Sequence, residues 1–160
     1  MKIFIIGYSN SGKSTFAKQF KKFKHISASS WTSRFGFDKT DPSYRRNVTE
    51  ASTKALKENP DECIDHIKEA IKTAENVVIE GIRNPRDFFN LFNPTCDVVM
   101  FLKPEGIGIS NQFDMGVNLI QDSVAWMANC GIIGTNQFII EDCHKLEETI
   151  KLYNKEYNTF

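Results

Sequence analysis

The stretch IFIIGYSNSGKST, Ile3–Thr15, joins an apolar run to a glycine-containing turn that ends in Lys, Ser and Thr. Its second part, Gly7–Thr15, matches the pattern G-x-x-x-x-G-K-[ST] between a short apolar strand and helically spaced phenylalanines. Glycines let such a loop turn its N–H groups inward toward phosphate oxygens, and a following helix adds its positive N-terminal end. A chance turn of small residues, the alternative, does not explain this strand–loop–helix context. We therefore predict that the loop binds a nucleoside triphosphate.

The loop residues have distinct expected roles. Lys13 is expected to reach the β and γ phosphates of ATP and to stabilise the transferred group, and Ser14 offers a hydroxyl to Mg²⁺. The residues expected to contact ATP are Gly7, Ser9, Asn10, Ser11, Gly12, Lys13, Ser14 and Thr15. ATP and Mg²⁺ are thus the expected cofactors.

A second acid for the metal is expected at the end of another buried strand. Glu80 closes the apolar run NVVIEG, Asn76–Gly81. A buried carboxylate without a cation is costly, so a role as a Mg²⁺ ligand is favoured over a role in the core. The alternative is an acid that is merely exposed at the end of the strand.

The bulk composition favours one globular domain. The chain has 160 residues, of which 41% are hydrophobic and 25% charged, and we predict a single domain over residues 1–160. No apolar stretch approaches the roughly 20 residues of a membrane-spanning helix. The four cysteines form no C-x-x-C pair, which favours thiols in a reducing compartment over a zinc site or disulfides. We expect a cytoplasmic protein without a membrane partner and leave its oligomeric state open.

Positive charge is concentrated in the N-terminal part of the chain. Residues 1–58 contain twelve Lys and Arg against four Asp and Glu, whereas residues 59–160 contain eight against sixteen. This asymmetry indicates an anionic ligand held by the N-terminal part. Part of it is equally explained by a solvated basic helix face at Lys18–Lys24.

Continuous apolar runs alternate with helically spaced segments, which is typical of a parallel sheet covered on both faces. Strands are predicted at Lys2–Ile6, around His25–Ser27, at Asn76–Gly81, at Asp97–Leu102 and at Gln137–Glu141. Helices are predicted through Phe16, Phe20 and Phe23, over 44–58, after a cap at Asp61, over Asp87–Phe92, up to about Asn129, and through Leu146, Ile150, Tyr153 and Tyr157. The predicted fold class is α/β, a three-layer P-loop NTPase fold with a five-stranded, mostly parallel sheet.

With these motifs the chain resembles the P-loop nucleoside monophosphate kinases, particularly the small phage deoxynucleotide kinases. The matching stretches are Gly7–Thr15, ISASSWTSR at Ile26–Arg34, EGIRNPR at Glu80–Arg86 and FIIEDCHKLEETI at Phe138–Ile150. The resemblance covers most of the chain as an order of elements, although only the loop is a highly specific motif. It implies a helical acceptor-binding region at about 27–75 and a lid-like loop at about 104–117.

Three arginines are the candidate ligands of the acceptor. Arg83 and Arg86 follow the strand-end acid, near the edge where open α/β sheets bind ligands, and guanidinium groups grip phosphates bidentately. Arg83 is also predicted to be catalytic. The resemblance adds Arg34, for which an ordinary surface position is the alternative. Arg45 and Arg46 are weaker candidates because they begin a helix.

The chain departs from the family in its lid-like segment. Residues 104–144 contain no Lys or Arg, and no arginine follows Arg86, whereas these kinases close a lid that brings arginines to the transferred phosphate. Three explanations stay open: Arg83, Arg86 and Lys103 neutralise the charge, the lid only excludes water, or the acceptor is not an ordinary nucleotide.

The leading functional prediction is an ATP-dependent kinase that makes a diphosphate from a (deoxy)nucleoside monophosphate. Phosphate-to-phosphate transfer needs positioning and charge stabilisation but no catalytic base. An alternative is a kinase of a hydroxyl acceptor, such as a hydroxymethyl-pyrimidine in phage DNA, with Asp38, Asp41 or Glu80 as the base. Only this alternative implies a nucleic-acid partner. A second alternative is a non-catalytic nucleotide-binding module.

Overall fold

A computed structural model describes residues 1–111, 113–134 and 137–141 of the chain. The predicted helix through Leu146, Ile150, Tyr153 and Tyr157 lies outside the described residues, as does Cys143. Cys63, Cys96 and Cys130 are free thiols. In the described part of the chain, no helix has the length and apolar character needed to cross a membrane.

The described elements form a five-stranded sheet in the order β2-β3-β1-β4-β5, and its paired strands all run parallel. The strands are β1 Lys2–Gly7, β2 Lys24–Ser27, β3 Val77–Glu80, β4 Val98–Leu102 and β5 Phe138–Glu141. The helices are α1 Lys13–Ala17, a 3₁₀ helix Ala28–Phe35, α2 Tyr44–Glu58, α3 Glu62–Ile71, α4 Pro85–Leu91 and α5 Asp114–Asn129. The predicted α/β class with a five-stranded sheet is confirmed.

The central strand β1 is apolar along its length because both of its faces are covered. Phe4 and Ile6 pack in a core with side chains of α3, α4 and α5, whereas Ile3 and Ile5 pack with Phe16 of α1. Alternate residues of a strand point to opposite faces, so a sheet buried on both sides needs an unbroken apolar run. The three-layer arrangement is therefore confirmed.

The predicted helix after the glycine loop is wrong beyond Ala17. Its later part is a series of turns, in which the N–H of Gln19 and the N–H of Phe20 donate to carbonyls three residues earlier. The chain has to reverse here because β2 begins at Lys24. Phe20 still packs edge-to-face on Phe16, with ring centroids 5.4 Å apart, so the apolar spacing indicated a shared buried surface rather than a continuous helix.

The same turns also remove the proposed basic helix face, because Lys18–Lys24 is turn and strand rather than helix. Asp61 does precede α3, but its carboxylate makes no capping bond within the described chain and instead pairs with Arg86. Helix α5 begins at Asp114, inside the segment predicted as a lid-like loop.

The parallel sheet brings the ends of three strands to one edge. Glu80 at the end of β3 is level with Ser27 of β2 and with Ile5 of β1, two residues before Gly7. The glycine loop, the strand-end acid and the start of the 3₁₀ helix therefore converge, and this is the edge at which open α/β sheets bind ligands.

Candidate functional site

The glycine loop depends on its two glycines for different reasons. A Cβ on Gly7 would lie 2.6 Å from Ser11 Oγ and 2.8 Å from the Leu102 carbonyl oxygen, so there is no room for a larger residue. Gly12 has a φ of 83° and Asn10 a φ of 62°, which places both in the left-handed region. The backbone is thus held in the curled form that a phosphate-binding loop requires.

Lys13, the first residue of α1, is buried beneath the loop. Its Nζ donates to the Tyr8 carbonyl oxygen and to Ser11 Oγ. Burial, assisted by the nearby charge of Arg83, lowers the pKa of Lys13 to about 8, although Glu80 and Asp114 act in the opposite direction. The ammonium group therefore lacks full compensation by anions, and a bound phosphate would supply it.

Glu80 lies in a pocket of about 450 Å³ beside the loop, here called the phosphate pocket. Its lining is Asn10, Gly12, Lys13, Ser14, Thr15, Ser27, Ser29, Glu80, Gly81 and Arg83. The Glu80 side chain is buried, and its Oε1 is 3.7 Å from His25 Nε2.

The donor set of this pocket fits a magnesium ion. A buried carboxylate and the Ser14 hydroxyl are the hard oxygen ligands that Mg²⁺ prefers, and the ion usually keeps several waters and substrate phosphates as its other ligands. Among the described residues no group of three or more His, Cys, Asp or Glu side chains could hold a metal alone. Ser14 and Glu80 are accordingly the residues that would hold Mg²⁺ together with a nucleotide.

A larger cleft of about 980 Å³ adjoins the phosphate pocket and is here called the acceptor cleft. It is lined by Ser9, Asn10, Ser27, Ser29, Ser30, Thr32, Ser33, Phe37, Lys39, Tyr44, Arg45, Val48, Thr49, Arg83, Asn111 and Phe113. Three of these residues are cations, and none of the described lining residues is Asp, Glu or His. Phe37 and Phe113 are 38% and 45% exposed. Its chemistry suits an anion that also has a flat apolar part.

Arg83 connects the two cavities, since it lines both of them. Its guanidinium Nη1 lies 3.9 Å from Asp114 Oδ1, and its side chain is about one-third exposed. Its Nε is buried and has no hydrogen-bond partner among the described residues. Arg83 therefore places a partly exposed guanidinium group where the two cavities meet.

Asp114, at the start of α5, ties three parts of the site together. Its fully buried carboxylate accepts hydrogen bonds from the backbone and side chain of Ser9 in the glycine loop and of Ser110 in the preceding segment, at 2.9–3.3 Å. Burial alone would raise the pKa of Asp114, but the bonds from Ser110 and Ser9 and the charge of Arg83 together lower it. The acid is thus a fixed anion that orients the loop and Arg83.

Close backbone packing reinforces this arrangement. A Cβ on Gly116 would lie 1.9 Å from the Arg83 carbonyl oxygen, so α5 approaches the Arg83 backbone at a distance that only glycine permits. Asp114 is not among the site residues predicted from the sequence. The signal that could have found it is an acid followed closely by a glycine in a segment without cations.

The arginines predicted to bind the acceptor lie in different surroundings. Arg83 and Arg45 line the acceptor cleft, whereas Arg34 and Arg86 do not. Arg46 is 74% exposed and lies 4.0 Å from Glu50.

Arg34 and Arg86 are both paired with acids near α3. The Arg34 guanidinium makes a bidentate ion pair with Glu62, at 2.6 and 2.8 Å, and lies against the ring of Phe35. Arg86 Nη2 is 2.5 Å from Asp61 Oδ1, and its Nη1 donates to the Pro60 carbonyl oxygen. Their roles as phosphate ligands stay predictions.

Four further residues that shape the cleft were not predicted from the sequence: Phe37, Lys39, Tyr44 and Phe113. Phe37, Lys39 and Phe113 lie outside regular helices and strands, and Tyr44 is the first residue of α2. No periodic pattern or motif marks such positions, because only the folded chain brings them to one cavity.

Comparison with known proteins gave matches among solved structures only. Neither a family model nor a curated protein sequence matches the chain. It is similar to shikimate kinase from Bacteroides thetaiotaomicron, with 16% identity and a TM-score of 0.49 over 97% of each chain. It is also similar to shikimate kinase from Aquifex aeolicus, with 19% identity and a TM-score of 0.48 over 99% of this chain and 98% of that one. A sugar kinase from Janibacter sp. has 12% identity and a TM-score of 0.44 over 99% and 94%.

Proposed function

We propose that the protein is an ATP-dependent phosphotransferase that converts a nucleoside or deoxynucleoside monophosphate to the diphosphate. The observation that supports this most directly is the position of Arg83, which lines both the phosphate pocket and a cation-lined cleft. The glycine loop would hold the phosphates of ATP, with Lys13 on the β and γ groups, and Ser14 and Glu80 would hold Mg²⁺.

The acceptor cleft supports a phosphate-bearing acceptor. Lys39, Arg45 and Arg83 offer positive charge, and the exposed rings of Phe37 and Phe113 offer flat apolar surfaces on which a base can stack. In the reaction, an oxygen of the acceptor phosphate forms a bond to the γ-phosphorus of ATP, while the bond from that phosphorus to the bridging oxygen breaks and ADP leaves. Arg83 and Lys13 would stabilise the charge of the transferred group.

A hydroxyl acceptor would require a base close to it, and no Asp, Glu or His lines the acceptor cleft itself among the described residues; Asp87 lines only the smaller recess beside the cleft. The Asp38 carboxylate accepts from both the backbone and the hydroxyl of Thr40, at 2.8 Å, and these bonds lower its pKa. Asp41 accepts from the Ser43 backbone, and Glu80 lies in the phosphate pocket. The geometry therefore favours a phosphate as the nucleophile, which needs no base.

The test is ADP formation from ATP with a panel of acceptors. The panel consists of the common ribo- and deoxyribonucleoside monophosphates, hydroxymethylated DNA, a sugar and a hydroxylated carboxylic acid. We expect turnover with at least one monophosphate and none with the hydroxyl acceptors. Turnover with a hydroxyl acceptor alone would contradict the proposal, and ATP binding without any turnover would indicate a non-catalytic module.

Glu80→Gln is expected to weaken ATP binding in the presence of Mg²⁺ by roughly tenfold or more, because the amide is a weaker ligand for a hard cation. Binding of metal-free ATP should change little. The measurement is a magnesium titration of ATP affinity by calorimetry. Glu58→Gln, at an exposed position at the end of α2, is the matched control. Equal affinities of Glu80→Gln and the wild type at every magnesium concentration would remove Glu80 from the metal site.

ATP binding at pH 8.5 is expected to take up protons at Lys13. The pKa of this residue is lowered to about 8 in the nucleotide-free protein, so most Lys13 side chains are neutral at pH 8.5. Phosphate oxygens beside the amine favour its charged form and raise the pKa again. Calorimetry in buffers of different ionisation enthalpy measures the uptake, which should disappear in Lys13→Ala. Proton release by the wild type, or the same uptake by both proteins, would contradict the assignment.

A further inference from the structure

A third and smaller pocket adjoins the acceptor cleft, with which it shares lining residues, and is here called the inner pocket. It measures about 280 Å³. The residues that it shares with the cleft are Ser29, Thr32, Val48, Thr49, Arg83 and Phe113. Trp31 and Ile82 add apolar surface, and Cys63 and Asp87 also line it. It is thus a largely apolar recess with one acid.

Two residues that line this recess each have a buried polar atom without a hydrogen-bond partner among the described residues. Asp87 is only 6% exposed, and its Oδ1 makes no hydrogen bond to any described residue. The same is true of Arg83 Nε. Folded proteins rarely leave buried polar atoms unpaired, so the unpaired carboxylate oxygen of a residue that lines a small cavity points to a ligand that presents a hydrogen-bond donor.

The surroundings of Asp87 reinforce the need for a donor. Burial raises the pKa of this carboxyl above its usual range, against the opposing charge of Arg86, and the charge of Asp61 adds to the rise. The Cys63 thiol lies beside the carboxyl, but it donates to the Ala28 carbonyl oxygen, 3.7 Å from Sγ, and thiols are weak donors. A stronger N–H donor from a ligand would stabilise the ionised carboxylate.

We propose that the inner pocket takes the base of the acceptor nucleotide and that Asp87 accepts a hydrogen bond from an exocyclic amino group of that base. This inference rests on the proposed function. Adenine and cytosine each carry that amino group on an edge of the ring, where hypoxanthine and uracil carry a carbonyl oxygen. A flat ring also suits walls formed by Trp31, Ile82 and Phe113.

Two pairs of nucleotides test the proposal, because the members of each pair differ only at the edge of the base that carries the exocyclic amino group. Replacing dCMP by dUMP, or dAMP by dIMP, exchanges the amino donor for a carbonyl and the ring acceptor for an N–H. We expect the wild-type kcat/KM for the nucleotide with the amino group, dCMP or dAMP, to exceed that for its carbonyl counterpart by at least about tenfold in one pair or both. The carbonyl counterpart leaves buried groups unpaired. In Asp87→Asn the preference should shrink to within about threefold or invert, because an amide can donate to the carbonyl.

Asp122→Asn, at an exposed position on α5, is the matched control and should keep the wild-type preference. A preference unchanged by Asp87→Asn, no preference at all, or a wild-type preference for the carbonyl partner would each overturn the inference while leaving nucleotide kinase activity in place. Turnover of a hydroxyl acceptor without any nucleotide turnover would overturn the proposed function and this inference together.

A measurement on the wild type keeps the proposal testable if Asp87→Asn does not fold. The deoxynucleotide of 2-pyrimidinone keeps the ring-nitrogen acceptor of cytosine and lacks only the amino group. Where dCMP is a substrate, we expect this analogue to bind at least about tenfold more weakly than dCMP. Where dAMP alone is a substrate, the analogue is the deoxynucleotide of unsubstituted purine, which lacks only the amino group of adenine, and it is compared with dAMP. Equal binding of the analogue and its parent would overturn the role of the amino group.

Discussion

Lys13→Ala is expected to lower ATP-dependent phosphoryl transfer by about a hundredfold or more while leaving the fold intact. The ammonium group lies beneath the loop in the phosphate pocket, where charge develops on the transferred group, and a preorganised donor in such a site contributes most of its energy in the transition state. The measurement is kcat for ADP formation with the best acceptor of the panel. A variant that keeps more than a tenth of wild-type turnover would remove the loop from the mechanism.

The fold should tolerate Lys13→Ala because the charged form of the Lys13 amine is less stable in the folded protein than in the unfolded chain. Its pKa is lowered to about 8, chiefly by burial, so the nucleotide-free structure gains little from the ammonium group. Thermal unfolding of Lys13→Ala should therefore start no earlier than that of the wild type. Lys18→Ala, at the exposed position directly after α1, is the matched control and should keep both stability and activity.

Arg83→Lys is expected to lower kcat/KM for the acceptor by roughly ten- to a hundredfold, or about 1.4–2.8 kcal/mol of transition-state stabilisation. The substitution keeps the charge but removes the planar fork of donors at the junction of the two cavities. Residues 104–144 contain no cation that could replace it. ATP affinity should change little, because the glycine loop holds that nucleotide.

The matched control is Arg46→Lys, at a position 74% exposed on α2, which should behave like the wild type. Loss of ATP binding in Arg83→Lys would place this arginine on the donor side, and unchanged kinetics would remove it from the reaction. A thermal melt of both variants separates these outcomes from local misfolding, because Arg83 also contacts the buried Asp114.

Features that depend on neighbouring residues in the chain were predicted from the sequence, whereas features that depend on contacts between distant segments were not. The glycine loop, the strand-end acid and the alternation of apolar runs with helical segments depend on neighbours in the chain, and these local features correctly predicted the parallel sheet and its layers. The helix after the loop was overestimated. Its apolar spacing is genuine, but the adjacent strand β2 requires the chain to reverse after Ala17.

The residues around the acceptor cleft make contacts that the sequence did not predict. Arg34 and Arg86 were plausible phosphate ligands by position, yet both make ion pairs with acids near α3 that no local pattern indicates. Lys39, Phe37 and Phe113 meet at one cleft although the first two and the third lie far apart in the chain. The contacts of Asp114 with Ser9 and Arg83 are likewise long-range.

The sequence by itself thus determined that this chain has a loop shaped for phosphate and a parallel sheet to present it. The left-handed backbone at Gly12 is one that glycine readily adopts, and the unbroken apolar run of β1 is typical of a strand covered on both faces. Only the tertiary structure decided which cations face the acceptor cleft and which polar atoms stay unpaired. Ion pairs and cavity walls arise between segments distant in sequence, and their partners are chosen by packing, which no local pattern encodes.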